Sequence, residues 1–294
     1  MILVTGGTGF VGPKVVHALR AEGRDVRCLV REPRRARTLE AWGCELVQGD
    51  VTDASSLKRA VAGCKAVVHL VSIIAGRRSD FERVMTRATQ DLAVAAAEAG
   101  VRRFVLMSAL GVSEQTRTLT PYFAAKWAME TAVRASGLEH VIFRPSFVFG
   151  RDGGALPIFV RQVRWSPVTP VLGDGRSRIQ PIWVDDVASY FAKAVDLPAA
   201  ANRTFELGGP DRVTWNELYE RIAKVLRKRR ARVNVPLALV RPGAALAELL
   251  PRPPITRDQL KMIEGGDNVA EMGPALEAFG IHPLSLDEQL RRAA

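Results

Sequence analysis

Short apolar runs alternate along this chain with longer amphipathic ones. Met1–Thr5 is an apolar, β-branched run of buried-strand length, and it stops at Gly6-Gly7-Thr8-Gly9-Phe10-Val11-Gly12. From there the pattern predicts a helix from near Phe10 to about Gly23, a strand over Asp25–Arg31, a short helix through Trp42 and a strand over Glu45–Gln48. Ala66–Leu70 is a continuous apolar run of the kind shown by parallel strands buried on both faces, and His69 within it reads as a core histidine. Asp80–Gly100 is an alanine-rich helix with a glycine stop, Arg103–Met107 is a fifth strand, and another helix opens after Pro121. Such alternation implies an α/β chain built on a doubly wound parallel sheet.

Past Gly150 the alternation loosens. Ile179–Val184 reads as a strand, Asp185 or Asp186 as the N-cap of a helix to about Asp196, Thr204–Leu207 as a strand, and Thr214-Trp215-Asn216-Glu217 as a capping box. Prolines 236, 242, 251, 253 and 254 then interrupt an apolar region. We expect a nucleotide-binding domain over residues 1–150, to which elements from about 179–210 return, and a small C-terminal α/β lobe over 151–294. The aliphatic residues Val235, Leu237, Leu239, Val240, Leu246, Leu249 and Leu250 form either the core of that lobe or a lining for an apolar or quinone-like substrate, a lipid or a partner protein.

The glycine turn is the first piece of chemistry. Gly6 allows a tight turn out of the strand, Gly9 presents a surface without a Cβ to a pyrophosphate, and Gly12 permits close helix-to-strand packing. The helix start, with Thr8, Phe10 and Val11, offers N–H groups and a positive dipole end to that phosphate. A strand before and a helix after are the context that a Rossmann-type dinucleotide site requires. Arg31 ends the second strand, with Arg34, Arg35 and Arg37 behind it, which favours the 2′-phosphate of NADP; Glu32 keeps NAD as the alternative. Asp50, beside Val51, serves either the adenine amino group or, as a cap, the helix starting near Ala54. Val71 and Ser72 are placed over the cofactor ribose.

Tyr122 and Lys126 are four residues apart on one helical face. An ammonium near the phenol is expected to lower the Tyr122 pKa toward that of a general acid or base.

Composition narrows the classes. Cys28, Cys44 and Cys64 are odd in number and lack C-x-x-C or Cys/His spacing, which argues against a disulfide framework or a metal site. The formal net charge is +11, but no stacking platform or recognition motif accompanies it, so nucleic acid is not expected. The dense block Arg227–Arg230 with Arg232 is either a solvated helix end or a contact for a protein or membrane surface. No signal peptide pattern opens the chain and charges and prolines interrupt Val235–Leu250, so a cytoplasmic protein is expected, with peripheral membrane contact left open.

The succession TGGTGFVG, Gly49-Asp50, a serine ending the fifth strand, YFAAK, Arg144-Pro145-Ser146-Phe147-Val148-Phe149-Gly150 and Pro181-Ile182-Trp183-Val184-Asp185-Asp186-Val187-Ala188 resembles the extended and atypical short-chain dehydrogenase/reductases, the NAD-dependent epimerase/dehydratase-like proteins. VRCLVREP, MSALGV, PPITRDQL and GGDNVA are similar to the group containing the NAD(P)H-binding accessory subunit of respiratory complex I and its bacterial relatives. The resemblance implies Tyr122 as catalytic acid/base, Lys126 as holder of the nicotinamide ribose, Ser108 as the residue orienting a substrate carbonyl or hydroxyl, and oxidoreductase or epimerase activity. Ser108-Ala109-Leu110-Gly111 departs from the family's run of two or three hydroxyl residues, which makes Ser113 a rival. A non-catalytic nucleotide-binding assembly or regulatory factor of a respiratory or quinone-linked membrane complex is the alternative.

Overall fold

A run such as Ile2-Leu3-Val4-Thr5 has no solvent face to offer, and in the computed structural model, which describes residues 1–247 and 256–294, all four of its side chains are buried. This strand, β1 (Ile2–Thr5), is central to a seven-stranded parallel sheet with β2 (Val26–Val30), β3 (Glu45–Gln48), β4 (Ala66–His69), β5 (Arg103–Met107), β6 (Glu139–Pro145) and the strand Arg203–Leu207. The spatial order is β3-β2-β1-β4-β5-β6 followed by Arg203–Leu207, so the order reverses between β1 and β4. That reversal is where ligands bind in doubly wound sheets, outside the carboxyl ends of the strands. The fold is of the Rossmann type.

The connecting helices are α1 (Gly12–Ala21), α2 (Arg37–Ala41), α3 (Ala54–Val61), α4 (Arg78–Phe81), α5 (Ala88–Glu98) and α6 (Pro121–Ala135). On one face Leu57, Leu92, Met129 and Val133 pack with Leu3, Val67, Phe104 and Ile142 of the strands, all fully buried. Fully burying a side chain of this size is worth about 1.5–3 kcal/mol. Helix α1 packs beside the helix Val184–Ala194.

Several elements differ from the sequence reading. Ile179–Val184 is not one strand but two short ones, Arg178–Ile179 and Ile182–Trp183, pairing with different partners on either side of Pro181, which has no N–H to give a ladder. Helix α1 starts at Gly12 rather than Phe10, because Pro13 occupies the opening turn, where its missing N–H costs nothing. The long alanine-rich helix starts at Arg78 and passes through a π-helical stretch, Glu82–Arg87, before α5. Asp185 and Asp186 are not caps: the helix already begins at Val184, and the carboxylates sit in its first turn, where they favour the dipole.

Two compact units emerge from the packing: Met1–Pro145 with Val184–Leu207 and Glu271–His282, and Ser146–Trp183 with Gly208–Ala270 and Pro283–Ala294. The second is built on the helices Leu156–Trp165, Trp215–Val225 and Leu286–Ala293 and on two-stranded pairings such as Val168–Leu172 with Ala231–Val235. Phe159 lies edge-on to Trp215 and Tyr219 within it. The capping box forms as expected, Thr214 N donating to Glu217 and Glu217 N to the Thr214 hydroxyl. Of the aliphatic residues singled out there, Val235, Leu237 and Val240 are half-buried and Leu239 is exposed; Leu249, Leu250 and the Leu246 side chain lie outside the described residues. Among the described residues no helix is long and apolar enough to cross a membrane.

Candidate functional site

Backbone geometry gives each loop glycine its use. Gly6 has φ +79°, in the left-handed region, and a Cβ on it would lie 3.1 Å from the backbone of Leu70 and Val71, so the turn out of β1 rests on the chain leaving β4. Gly9 N donates to Gly6 O at 3.0 Å, and Gly9 with Thr8 faces solvent. A Cβ on Gly12 would overlap the Gly6 carbonyl oxygen and lie 2.6 Å from Gly7 Cα. Val11, the N-cap of α1, supplies no side-chain hydrogen bond, and the first turn holds no acid. A helix start left uncapped by side chains beside exposed, Cβ-free backbone is an anion cradle, and these residues fit a dinucleotide pyrophosphate.

At the end of β2, Arg31 is exposed, and Glu32, which left NAD open, is paired with Arg35 at 2.9 Å. Asp50 accepts from both Thr52 N and the Thr52 hydroxyl at 2.8 Å, and α3 is capped by Asp53 rather than Asp50. That removes the capping alternative for Asp50. Val51 and Val71 are half-buried. His69 is the core histidine expected: it bonds Thr5 at 2.6 Å and Thr89 at 3.0 Å, and burial followed by the Lys126 charge pushes it down to about 3.

Tyr122 and Lys126 come together on α6, whose start is set by Pro121 and by the Thr120 hydroxyl accepting from Phe123 N. Lys126 Nζ lies 5.8 Å from the Tyr122 ring centroid and donates to Met107 O at 2.7 Å. Burial pushes the ammonium down to about 7, with the Glu130 carboxylate opposing. The expected lowering of the Tyr122 pKa is not found: burial raises the phenol to about 12, partly offset by a hydrogen bond with Ser72. The ammonium lies by the ring and is committed to Met107 O, while Ser72 is the group on the phenol.

Ser108 is turned inward. It is 2% exposed and its hydroxyl donates to Glu130 at 2.5 Å. Glu130, fully buried, also takes two bonds from Arg144, at 2.9 and 2.7 Å, and one from Arg134 at 2.7 Å. Burial pushes that carboxyl up, and the bonds from Arg144 and Ser108 with both arginine charges outweigh it, so it stays ionised. The role implied for Ser108, orienting a substrate, is thus not met by its hydroxyl. The rival Ser113 bonds Thr116 within the loop before α6. Glu130 was missed in the sequence, although it stands one helical turn beyond Lys126, the spacing that found the Tyr122–Lys126 pair.

A buried ammonium near 7 leaves a stability signature. Between about pH 7 and its unfolded value near 10.4, the unfolded chain holds this proton more fully than the folded one, so stability rises with pH across that window. The buried thiols, whose pKa values burial raises, act oppositely above about pH 8.5. Melting temperature should therefore climb between about pH 7 and 8.5. In Lys126→Met that rise should flatten, and an unchanged slope would contradict the buried-ammonium assignment.

Sheet order, switch point and phosphate cradle together define a dinucleotide-binding Rossmann protein. Residues 6–196 match the family model described as NAD(P)H-binding, and the chain belongs to that family, within the atypical short-chain dehydrogenase/reductases. It is 31% identical over 301 residues, 98% of this chain and 79% of the relative, to NADH dehydrogenase (ubiquinone) 1 alpha subcomplex subunit 9, mitochondrial, of Mus musculus. It is 32% identical over 238 residues, 80% of this chain and 74% of the relative, to a ceramide reductase of Caulobacter vibrioides. In fold it is similar to an NADPH-dependent quinone oxidoreductase of Escherichia coli complexed with NADPH, with TM-score 0.81 and 21% identity over 99% of this chain and 98% of the other.

Proposed function

We propose that this chain is an NADPH-dependent oxidoreductase that reduces a carbonyl or quinone-like carbon of an apolar substrate. The observation that carries the reading is the grouping of Tyr122, Ser72 and Lys126 beside the switch point, with Tyr122 held as a protonated phenol. With NADPH held in the cradle by Gly6, Gly9 and Gly12, the dihydronicotinamide would supply the hydride for the carbonyl carbon. Tyr122 Oη then gives its proton to the oxygen that gains charge, and Ser72 holds the phenol in place. Lys126, bonded to Met107 O, lies 5.8 Å from the ring centroid, and its protonated form would favour the phenolate left behind. Ile73 and Ile74 follow Ser72 directly, and Ile74 is 68% exposed, which suits an apolar substrate.

The 2′-phosphate form is favoured because Arg31 is exposed at the strand end while Glu32 is engaged by Arg35. A bidentate guanidinium–phosphate contact is worth about 1.5–3 kcal/mol. Arg31→Ala should accordingly weaken NADPH by about 10- to 100-fold and leave NADH nearly unchanged in fluorescence titrations. Equal effects on both nucleotides would refute the choice of NADPH.

A second reading is favoured by one observation, the withdrawal of Ser108 into the Glu130 cluster. On that reading the chain binds the nucleotide without turnover, as an assembly or accessory factor of a respiratory or quinone-linked membrane complex. Oxidation of NADPH against quinones and apolar aldehydes and ketones separates the two: turnover supports the enzyme, and tight binding with no oxidation across that panel supports the factor.

A further inference from the structure

We propose that the second unit carries a docking surface for an anionic phospholipid bilayer. Single exposed apolar side chains are ordinary, whereas contiguous ones mark an interface. Of the nine large apolar side chains exposed among the described residues, six lie in this unit. Four of them, Ile158, Trp165, Val168 and Val233, sit on consecutive and paired elements and make up the proposed strip. Ile158 and Trp165 stand two turns apart on one face of the helix Leu156–Trp165, and Trp165 is 78% exposed. Val168 opens the next strand, and the register sets Val168 opposite Ala231 and Pro170 opposite Val233. Thr169 and Val171 turn inward, which leaves Val168 and Pro170 facing out. The strand Ala231–Val235 is exposed over its first four residues and, among the described residues, is paired on one side only, an edge that proteins usually cover or blunt.

Cations surround the strip. Arg230 donates to Val163 O at 2.9 Å and Arg164 O at 3.0 Å, which ties the basic block to the end of the helix that carries Trp165. Arg227, Lys228 and Arg229 are left exposed beside it. The same helix borders a cavity of about 370 Å³ lined by Arg151, Asp152, Arg161, Arg164, Trp165 and Ala294, in which Arg164 donates to Ala294 O at 2.8 Å while Arg151 and Arg161 add further guanidinium groups. Guanidinium groups beside an indole suit a phosphate headgroup whose acyl chains continue into an apolar phase. Charge decides between a bilayer and a second copy of the chain. Two copies of a chain with net charge +11 repel, whereas an anionic bilayer neutralises the exposed Arg227, Lys228 and Arg229 and takes the tryptophan at headgroup depth.

Flotation of the full chain tests this, with phosphatidylcholine vesicles containing about one-third phosphatidylglycerol against pure phosphatidylcholine. Binding is expected to the anionic vesicles alone and to fall as salt rises. Replacing Arg227, Lys228 and Arg229 together by Glu should weaken it by on the order of 100-fold or more, at about 5-fold for each cation removed. Trp165→Ser should weaken it by about tenfold. Both variants should keep the wild-type melting temperature and NADPH titration, since their side chains are exposed. Equal binding to both vesicles, binding to neither, or anionic binding untouched by either variant would overturn the proposal. So would a dimer in size-exclusion that Val233→Lys dissolves, which would assign the strip to a second copy, or saturation of the cavity by glycerol phosphate without vesicle binding.

Discussion

Gly12→Ala is expected to cost at least about 3 kcal/mol of stability and to abolish measurable NADPH binding, because the new methyl has nowhere to go. Its neighbours are the Gly6 carbonyl oxygen and the backbone of Gly7, and backbone cannot swing aside as a flexible side chain can. Relief requires either prising α1 from β1 or unwinding the turn between them, and both destroy the cradle. Gly9→Ala is the control. Its Cβ would meet only Gly6 O, at 3.3 Å, and it faces solvent, so the fold should melt normally while the pyrophosphate loses its close approach. Thermal unfolding followed by NADPH titration of the two variants separates packing from ligand contact. Wild-type melting of Gly12→Ala would contradict the argument.

Tyr122→Phe should lower turnover by about 10²- to 10⁴-fold, the usual worth of a positioned acid, while the NADPH dissociation constant stays within about threefold. The split follows from what the hydroxyl touches. Its partner is Ser72, and the phenyl ring that packs on the core cluster is retained by Phe. Since burial holds the phenol near 12, the proton is in place throughout the neutral range, and activity should not fall on the alkaline side from Tyr122 until well above pH 9. Lys126, near 7, is the group that titrates within the working range, so any inflection near neutrality should vanish in Lys126→Met but persist in a Ser72→Ala variant. Turnover unaffected by Tyr122→Phe would remove the tyrosine from the chemistry.

The frame of this protein was legible in its sequence because its signals are local. β-branched runs without a polar face predict buried parallel strands, and the spacing of Gly6, Gly9 and Gly12 between a strand and a helix predicts a phosphate cradle whatever the rest of the chain does. The capping box at Thr214 and the satisfied His69 were readable for the same reason: the first is set by hydrogen bonds three residues apart, and the second by its place in an apolar run.

What misled the sequence reading was competition between partners distant along the chain. Ser108 ends β5 as a catalytic serine would, yet Glu130 lies 22 residues on and takes its hydroxyl once α6 packs against the sheet. The Tyr122–Lys126 spacing announces a shared helix face but not depth, and depth is what raises the phenol and lowers the ammonium. Asp50 and Asp53 are equally good caps by type, and the turn geometry that ties Asp50 to Thr52 left the cap to Asp53. By itself, then, the sequence determined the succession of strands and helices, the cradle and the helix face of the tyrosine–lysine pair, because backbone sterics and periodicity act over a few residues. Tertiary structure alone decided which polar groups meet and how far from water they lie, because desolvation and hydrogen-bond competition depend on neighbours brought together only by folding.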